Sequence, residues 1–210
     1  KIVSVSDMFP TDLYISQGIQ QLLGSNRCQL KLCRIEKLGD ALDETVNLVV
    51  LSQVNFRTGE AYDLAEITRL THAAGARILW DVSHSAGALA IGLENNSIDY
   101  AVGCGYKFLN GGPGAPAFLY VHPDLKESAQ QPLAGWMGHA DPFAFDNDYQ
   151  PANGMDRFLS GTPNILSLVS LHAALVSFSN CIPTDLFTKG QALARFFIEL
   201  IENRSLAKQF

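Results

Sequence analysis

Six short apolar runs alternate along the chain with segments in which apolar residues recur at helical spacing. The runs cover residues 2–5, 30–35, 46–51, 78–81, 100–103 and 117–121. Several are rich in β-branched residues and nearly continuous in apolarity, which is typical of strands buried on both faces. Residues 11–23 and 63–74 lie between such runs and carry apolar side chains three and four positions apart, as amphipathic helices do. This alternation predicts an α/β fold with a mostly parallel sheet flanked by helices.

The pattern changes after residue 121. Residues 122–153 show little periodicity and are rich in Pro, Gly, Gln and Asp. A connection of this length is more often functional than idle, so we expect it to form part of an interface. Helical spacing returns at residues 165–178 and 186–201.

The composition favours a globular protein that binds small molecules. The 210 residues are 47% hydrophobic, enough for one substantial core, and the net charge is -6. Nucleic-acid binders concentrate Lys and Arg on one face, and no run here does so, which excludes that class of partner. No apolar stretch approaches the roughly 18 residues of a membrane span, so we expect no membrane partner.

The cysteines and the first residues bear on the cellular compartment. The four cysteines form neither a C-x-x-C pair nor a recurring metal spacing. We therefore expect reduced thiols, a cytoplasmic location and no bound metal. The chain begins with Lys instead of Met, and its start lacks a signal-peptide pattern. We interpret it as part of a longer protein.

Polar residues with reactive side chains follow three of the predicted strands. Ser52 and Asp81 lie at the ends of the runs 46–51 and 78–81, while Tyr106 and Lys107 follow the run 100–103. Ligands collect at the carboxyl ends of parallel strands, which meet at one edge of the sheet. We therefore expect these side chains to share one site.

Lys107 and Asp81 together indicate a particular cofactor. An amine can form a Schiff base with the aldehyde of pyridoxal phosphate, and a carboxylate can keep the ring nitrogen protonated so that the ring accepts electrons. Lys107 stands in the glycine-rich segment 103–114, GCGYKFLNGGPG. We interpret these glycines as backbone that closely approaches a flat or phosphorylated ligand. The alternative is a tight turn before the run 117–121.

Asp81 and His84 also have purely structural interpretations. Asp81 could cap a helix over residues 83–88, although the apolar residues before it predict a buried carboxylate that needs a cationic partner. His84 could bond to the backbone in the core, or it could lie against the cofactor ring.

Five separated motifs resemble one enzyme family, in the order that the family has them. They are FPTDLY at 9–14, WDVSHSAG at 80–87, GYKFLNGGPGAPAF at 105–118, GWMGH at 135–139 and FLSGT at 158–162. Together they resemble kynureninases, pyridoxal-phosphate enzymes of the aspartate aminotransferase fold type. The resemblance implies the large domain of a fold type I pyridoxal-phosphate-dependent transferase, incomplete at both ends. Residues 1–182 would form this cofactor-binding domain, and residues 183–210 a linker helix toward a smaller domain.

The resemblance also implies roles for residues at the cofactor. Lys107 would hold pyridoxal phosphate covalently and act as the base, and Asp81 would pair with the ring nitrogen. Phe9 would stack on the ring, and Asp12 and His84 would belong to the same pocket.

Four further residues are implied at the edges of that pocket. Ser52 and Tyr106 would reach the cofactor or its phosphate, and Tyr106 would also transfer a proton during cleavage. Trp136 and Thr162 would close the phosphate site from the neighbouring subunit, which implies a homodimer with shared active sites.

The family's reaction is the hydrolysis of kynurenine or 3-hydroxykynurenine to an anthranilate and alanine, a step of tryptophan degradation. The resemblance therefore implies a small amino-acid substrate. A cysteine desulfurase, or another class V aminotransferase relative, is the first alternative. Such an enzyme would need a mobile nucleophilic cysteine in a late loop, whereas Cys181 lacks glycine-rich surroundings. The second alternative is an inactive module that binds or dimerises.

Overall fold

The computed structural model describes residues 1–203. Within them, every apolar run that predicts a strand contains one. The strands are β1 (Ile2–Val5), β2 (Leu30–Cys33), β3 (Leu48–Ser52), β4 (Arg77–Asp81), β5 (Tyr100–Cys104) and β6 (Ala117–Val121).

Helices connect the first strands and follow the last one. They are α1 (Pro10–Leu23), α2 (Leu38–Ala41), α3 (Leu64–Ala73), α4 (Ile165–Val176) and α5 (Pro183–Asn203). Side-chain caps fix two of the starts: Asp63 accepts a hydrogen bond from the backbone N–H of Glu66 at 2.9 Å, and Asn164 accepts one from Ser167 at 3.2 Å. Three short 3-10 turns complete the regular structure, at Ile35–Lys37, Trp136–Gly138 and Gly154–Phe158.

The strands form one sheet in the order β2-β1-β3-β4-β5-β6. All neighbouring pairs are parallel except β5 and β6, which are antiparallel. The predicted α/β fold with a mostly parallel sheet is therefore confirmed. In the register of β3 and β4, Ser52 pairs with Asp81, so both side chains lie at the carboxyl edge of the sheet.

The hydrophobic core lies around the central strands. Val3, Leu51, Ile78 and Trp80 are fully buried, and burial of such a side chain contributes about 1.5–3 kcal/mol. The indole N–H of Trp80 donates to the hydroxyl oxygen of Thr68 at 3.1 Å. This bond fixes α3 against β4, the strand that carries Asp81 into the site.

Several predicted features differ in detail from the structure. The strands β1 and β3 are buried on both faces, but β2 and β6 are partly exposed because they form the two edges of the sheet. Within the run 30–35, the strand ends at Cys33, because a 3-10 turn begins at Ile35. The last helix begins at Pro183, three residues earlier than predicted, because proline suits the first turn of a helix. Residues 204–210 of the predicted linker helix lie outside the described residues.

Among residues 1–203, none of the helices combines the length and the apolarity that a membrane crossing requires.

Candidate active site

Two polar side chains meet where β3 and β4 end. Asp81 is only 8% exposed, and one of its carboxylate oxygens accepts a hydrogen bond from the hydroxyl of Ser52 at 3.4 Å. The other accepts one from the backbone N–H of Ser83 at 2.8 Å. Residues 83–88 form turns and not a helix. Asp81 therefore does not cap a helix, and that interpretation is wrong. The expected burial of its carboxylate is confirmed.

A second carboxyl group, that of Asp12, faces Asp81 from the first turn of α1. The pKa of Asp12 is raised to about 6, first by burial and then by the neighbouring Asp81, while Lys107 acts in the opposite direction. One buried oxygen of the Asp12 carboxyl has no hydrogen-bond partner within residues 1–203. The site therefore has one buried carboxyl oxygen to which no group of the described residues donates.

Lys107 enters the site from the segment after β5. Its Nζ lies 3.0 Å from Nε2 of His84. Burial lowers the pKa of His84, and the positive charge of Lys107 lowers it further. A neutral imidazole can accept a hydrogen bond from the ammonium group. Gly87 allows this approach, since a Cβ there would lie 2.5 Å from the carbonyl oxygen of Phe108 and its φ is +88°.

Two aromatic rings stand beside the lysine. The Nζ of Lys107 lies 5.7 Å from the ring centroid of Phe9 and the same distance from that of Tyr106. Both rings are partly open to solvent. The pKa of Tyr106 lies above its ordinary value, chiefly because of the neighbouring Cys104, with burial as a further cause. The phenol therefore keeps its proton at neutral pH.

We predicted that the glycines around Lys107 let the backbone approach a ligand. In the structure, three of them contact other parts of the protein. A Cβ at Gly103 would collide with the ring of Phe118, and one at Gly105 or Gly111 would press against Leu171 of α4. At these three positions the lack of a side chain makes room for β6 and α4. At Gly112 and Gly114 the backbone has positive φ and open space around it, as a turn requires. These two glycines fit the alternative interpretation, a tight turn before β6, and the predicted approach of a ligand stays a prediction.

Trp136 and Thr162 belong to two segments that contact each other. The backbone N–H of Met137 donates to the carbonyl of Ser160 at 3.1 Å, which joins their two segments. Both side chains are exposed. Within residues 1–203, no hydrogen bond or aromatic contact connects either one to Lys107. The structure thus brings Phe9, Asp12, Ser52, Asp81, His84, Tyr106 and Lys107 to one edge of the sheet, and residues 1–203 show no hydrogen bond or aromatic contact between that cluster and Trp136 or Thr162.

Two residues near the site escaped sequence analysis. The ring of Phe56 packs against that of Phe9, with centroids 5.2 Å apart and planes at 80°. Asn55 is 5% exposed and donates to a carboxylate oxygen of Asp7 at 2.6 Å. Both residues follow the end of β3, and a place at the end of a strand is also what identified Ser52 as a site residue. The turn-like sequence from Asn55 to Gly59 concealed it.

The chain resembles known proteins over nearly its whole length. The family model for class-V aminotransferases matches residues 26–208. This chain belongs to the class-V aminotransferase family. Two curated relatives are kynureninases: that of Deinococcus radiodurans is 46% identical over 209 residues, and that of Pseudomonas fluorescens is 41% identical over 208 residues. These alignments cover 100% and 99% of this chain but 50% of each relative. The chain thus spans about half the length of the kynureninases it matches.

Solved structures of the family share the fold. A cysteine desulfurase from Thermococcus onnurineus superposes with a TM-score of 0.74 at 20% sequence identity, over 97% of this chain and 51% of that one. An alanine–glyoxylate aminotransferase from Nostoc sp. gives a TM-score of 0.66 at 17% identity, over 96% of this chain and 54% of that one. At these identities the likeness establishes the fold alone.

Proposed function

We propose that the protein carrying this chain is a pyridoxal-phosphate-dependent hydrolase. It would cleave the Cβ–Cγ bond of L-kynurenine or 3-hydroxykynurenine with water, giving anthranilate or 3-hydroxyanthranilate and L-alanine. The observation that carries the proposal is the 46% identity to a kynureninase over 209 residues. That alignment includes the cluster formed by Asp81 and Lys107.

The residues at the site fit the proposed cofactor. A buried carboxylate at Asp81 and an unused carboxyl oxygen at Asp12 suit a cationic ring nitrogen. Lys107 offers the amine for covalent attachment, and Phe9 offers an aromatic face beside it. When bound, pyridoxal phosphate supplies an aldehyde that captures amines and a ring that withdraws electrons from the bonds of the captured substrate.

The protein's own groups would hold and move protons around that chemistry. His84 accepts a hydrogen bond from Lys107 and so orients its Nζ. With the cofactor in place, this Nζ would take the proton from the substrate's α-carbon. Ser52 and the Ser83 amide donate to the two carboxylate oxygens of Asp81 and so hold this group in place.

Tyr106 is the proposed acid for the cleavage step. Water must add to the γ-carbonyl carbon, and the carbon released from the broken Cβ–Cγ bond must receive a proton. The phenol of Tyr106 carries its proton at neutral pH and lies beside Lys107. Proton transfer from a positioned side chain contributes about 10²–10⁴ in rate.

We also propose a homodimer in which Trp136 and Thr162 reach the partner's cofactor site. Three observations support this proposal: both side chains are exposed, their segments contact each other, and within residues 1–203 no hydrogen bond or aromatic contact joins either one to Lys107. The ring of Trp136 packs against Phe143, which is 71% exposed, and Phe143 against Phe145, which is 79% exposed. An exposed aromatic cluster of this kind is typical of an interaction surface.

The domain assignment and the location remain parts of the same proposal. Residues 1–182 would form the cofactor-binding domain and residues 183–210 a link toward a smaller one. Consistent with a link, α5 has no buried residue. The absence of cysteine pairs in the sequence supports a cytoplasmic location.

The desulfurase alternative gains no support beyond the fold. Cys181 lies between α4 and α5, and its thiol donates to the carbonyl of Ser177 at 3.5 Å. The likeness to the desulfurase is limited to 20% sequence identity.

The decisive experiment combines cofactor trapping with turnover. The intact protein is loaded with pyridoxal phosphate, reduced with borohydride, digested and analysed by mass spectrometry. We expect the reduced cofactor on Lys107, loss of the visible absorbance band in Lys107→Ala, and retention in Lys37→Ala, which removes an exposed lysine paired with Asp40. Kynurenine turnover is measured as anthranilate release, with sulfide release from cysteine measured alongside.

Each result separates the candidate functions. Anthranilate without sulfide supports the proposal, and sulfide without anthranilate would indicate a desulfurase. Absence of any bound cofactor in the intact protein would indicate a binding or dimerisation module.

A further inference from the structure

The loop after β3 is closed on itself around the buried side chain of Asn55. Its amide oxygen accepts hydrogen bonds from the backbone N–H groups of Arg57 at 2.9 Å and Thr58 at 3.3 Å. Its own backbone N–H donates to the carbonyl of Glu60 at 2.9 Å, and its carbonyl accepts from Gly59 at 2.8 Å. The loop therefore has one defined conformation.

The same side chain ties this loop to the segment between β1 and α1. The amide nitrogen of Asn55 donates to a carboxylate oxygen of Asp7 at 2.6 Å and to the hydroxyl of Tyr62 at 3.2 Å. Asp7 stands two residues before Phe9. The short, charge-assisted bond thus sets the position from which Phe9 leaves the backbone.

Phe56 completes the connection through its ring. It packs edge to face with Phe9 at 5.2 Å, and the guanidinium carbon of Arg57 lies 5.0 Å from its centroid on the solvent side of the loop. Phe9 is thus held by its backbone through Asn55 and by its ring through Phe56. Aromatic pairs of this geometry prefer one relative orientation.

We infer that Asn55 and Phe56 are positioning residues for the cofactor: they orient the ring of Phe9 beside Lys107 without touching the reacting atoms. This inference rests on the proposed function, since it presupposes that pyridoxal phosphate binds next to Lys107. It gives a function to the loop 53–62, which none of the five sequence motifs includes.

The first test measures the affinity of the intact protein for pyridoxal phosphate. Binding is monitored by the visible absorbance of the cofactor and by the circular dichroism induced in it. Phe56→Leu should weaken binding roughly two- to tenfold, the range that an aromatic contact spans. It should also reduce the induced dichroism, which reports the orientation of the ring. Phe56→Tyr keeps the ring and should retain both.

A double-variant cycle shows whether Phe56 acts through Phe9. If it does, Phe9→Leu with Phe56→Leu should bind the cofactor within about twofold of Phe9→Leu alone. Losses that multiply in the double variant would overturn the inference, because the two residues would then act independently.

A charge swap tests Asn55 while preserving the shape of the loop. Asn55→Asp places two carboxylates against each other and should weaken cofactor binding about tenfold. Combining it with Asp7→Asn restores an amide facing a carboxylate and should recover most of the affinity. No recovery in the swapped pair would contradict the positioning role of the Asn55–Asp7 bond.

Asn96→Ala is the matched control for general loop stability. The Asn96 amide donates to the carbonyl of Ile91 at 2.9 Å in a different loop, so its loss should lower the urea midpoint without changing cofactor affinity. Unchanged affinity in Phe56→Leu, with only a lower midpoint, would overturn the inference. If the unsubstituted intact protein binds no pyridoxal phosphate, the proposed function fails as well, and that failure is visible before any variant is compared.

Discussion

Asp12 is expected to make the stability of the cofactor-free protein depend on pH. Its pKa is raised from the model-compound value of 3.8 to about 6, first by burial and then by the facing carboxylate of Asp81. Between these two pH values the folded protein keeps a proton that the unfolded chain has lost. The stability that this proton provides is therefore present at low pH and lost as the pH rises through about 6. Asp12→Asn replaces the carboxyl by a neutral group of the same shape and should remove this dependence.

The magnitude follows from proton linkage. With these two pKa values, the free energy of unfolding should fall by up to about 1.4 kcal/mol between about pH 5 and about pH 7.5. Because the Asp12 side chain is only half-buried, solvent screening reduces this to roughly 0.7 kcal/mol. For a protein of this size, that corresponds to a shift of about 0.3 M in the urea midpoint.

Urea unfolding of the intact, cofactor-free protein measures the effect at both pH values. The midpoint of Asp12→Asn should exceed that of the unsubstituted protein by a larger margin near pH 7.5 than near pH 5, because only the unsubstituted protein loses stability between these two pH values. Asp146→Asn, which removes an exposed carboxylate, should change neither the midpoint nor its pH dependence. Equal midpoint shifts for Asp12→Asn at both pH values would refute the assigned ionisation.

Three further results are expected. Asp81→Asn should still bind the cofactor covalently but lose most of its kynurenine turnover, because the ring nitrogen is no longer kept protonated; near-normal turnover would contradict the pairing. Gly135→Ala should destabilise the protein by about 1–3 kcal/mol in urea, because its Cβ would collide with backbone, whereas Gly161→Ala meets open space and should have little effect; similar losses in both would show that crowding is not the cause. Mixing an inactive Lys107→Ala subunit with an inactive Trp136→Ala subunit should restore part of the activity through one intact site per heterodimer, and no recovery despite subunit exchange would place both residues in the same subunit's site.

The fold was predictable because each strand has a strong local signal. Continuous apolar runs such as Leu48–Ser52 and Arg77–Asp81 are short, β-branched or aromatic, and separated by helical patterns, so element type and parallel topology follow together. The boundaries were less predictable. Pairing with a neighbour ends β2 at Cys33, although the apolar run continues to Ile35.

The site was predictable only in part. Asp81 and Lys107 could be identified because a strand end and a reactive side chain coincide in the sequence. The partnership of His84 with Lys107 depends on the close backbone approach at Gly87, which no local pattern reveals. The packing of Gly103 against Phe118, and of Gly105 and Gly111 near Leu171, is likewise not visible in any local pattern.

The charges at the site explain why Asp12 and Asp81 can face each other. Lys107 supplies one positive charge, while His84 is held neutral by burial and by that lysine. If both carboxylates were ionised, the site would carry one negative charge in excess. Asp12 therefore keeps its proton up to about pH 6. A cationic ring nitrogen would supply the missing positive charge and accept the unused Asp12 oxygen as a partner. We therefore infer that cofactor binding lowers the pKa of Asp12 and releases its proton below about pH 6, so that the affinity for pyridoxal phosphate increases as the pH rises through this value.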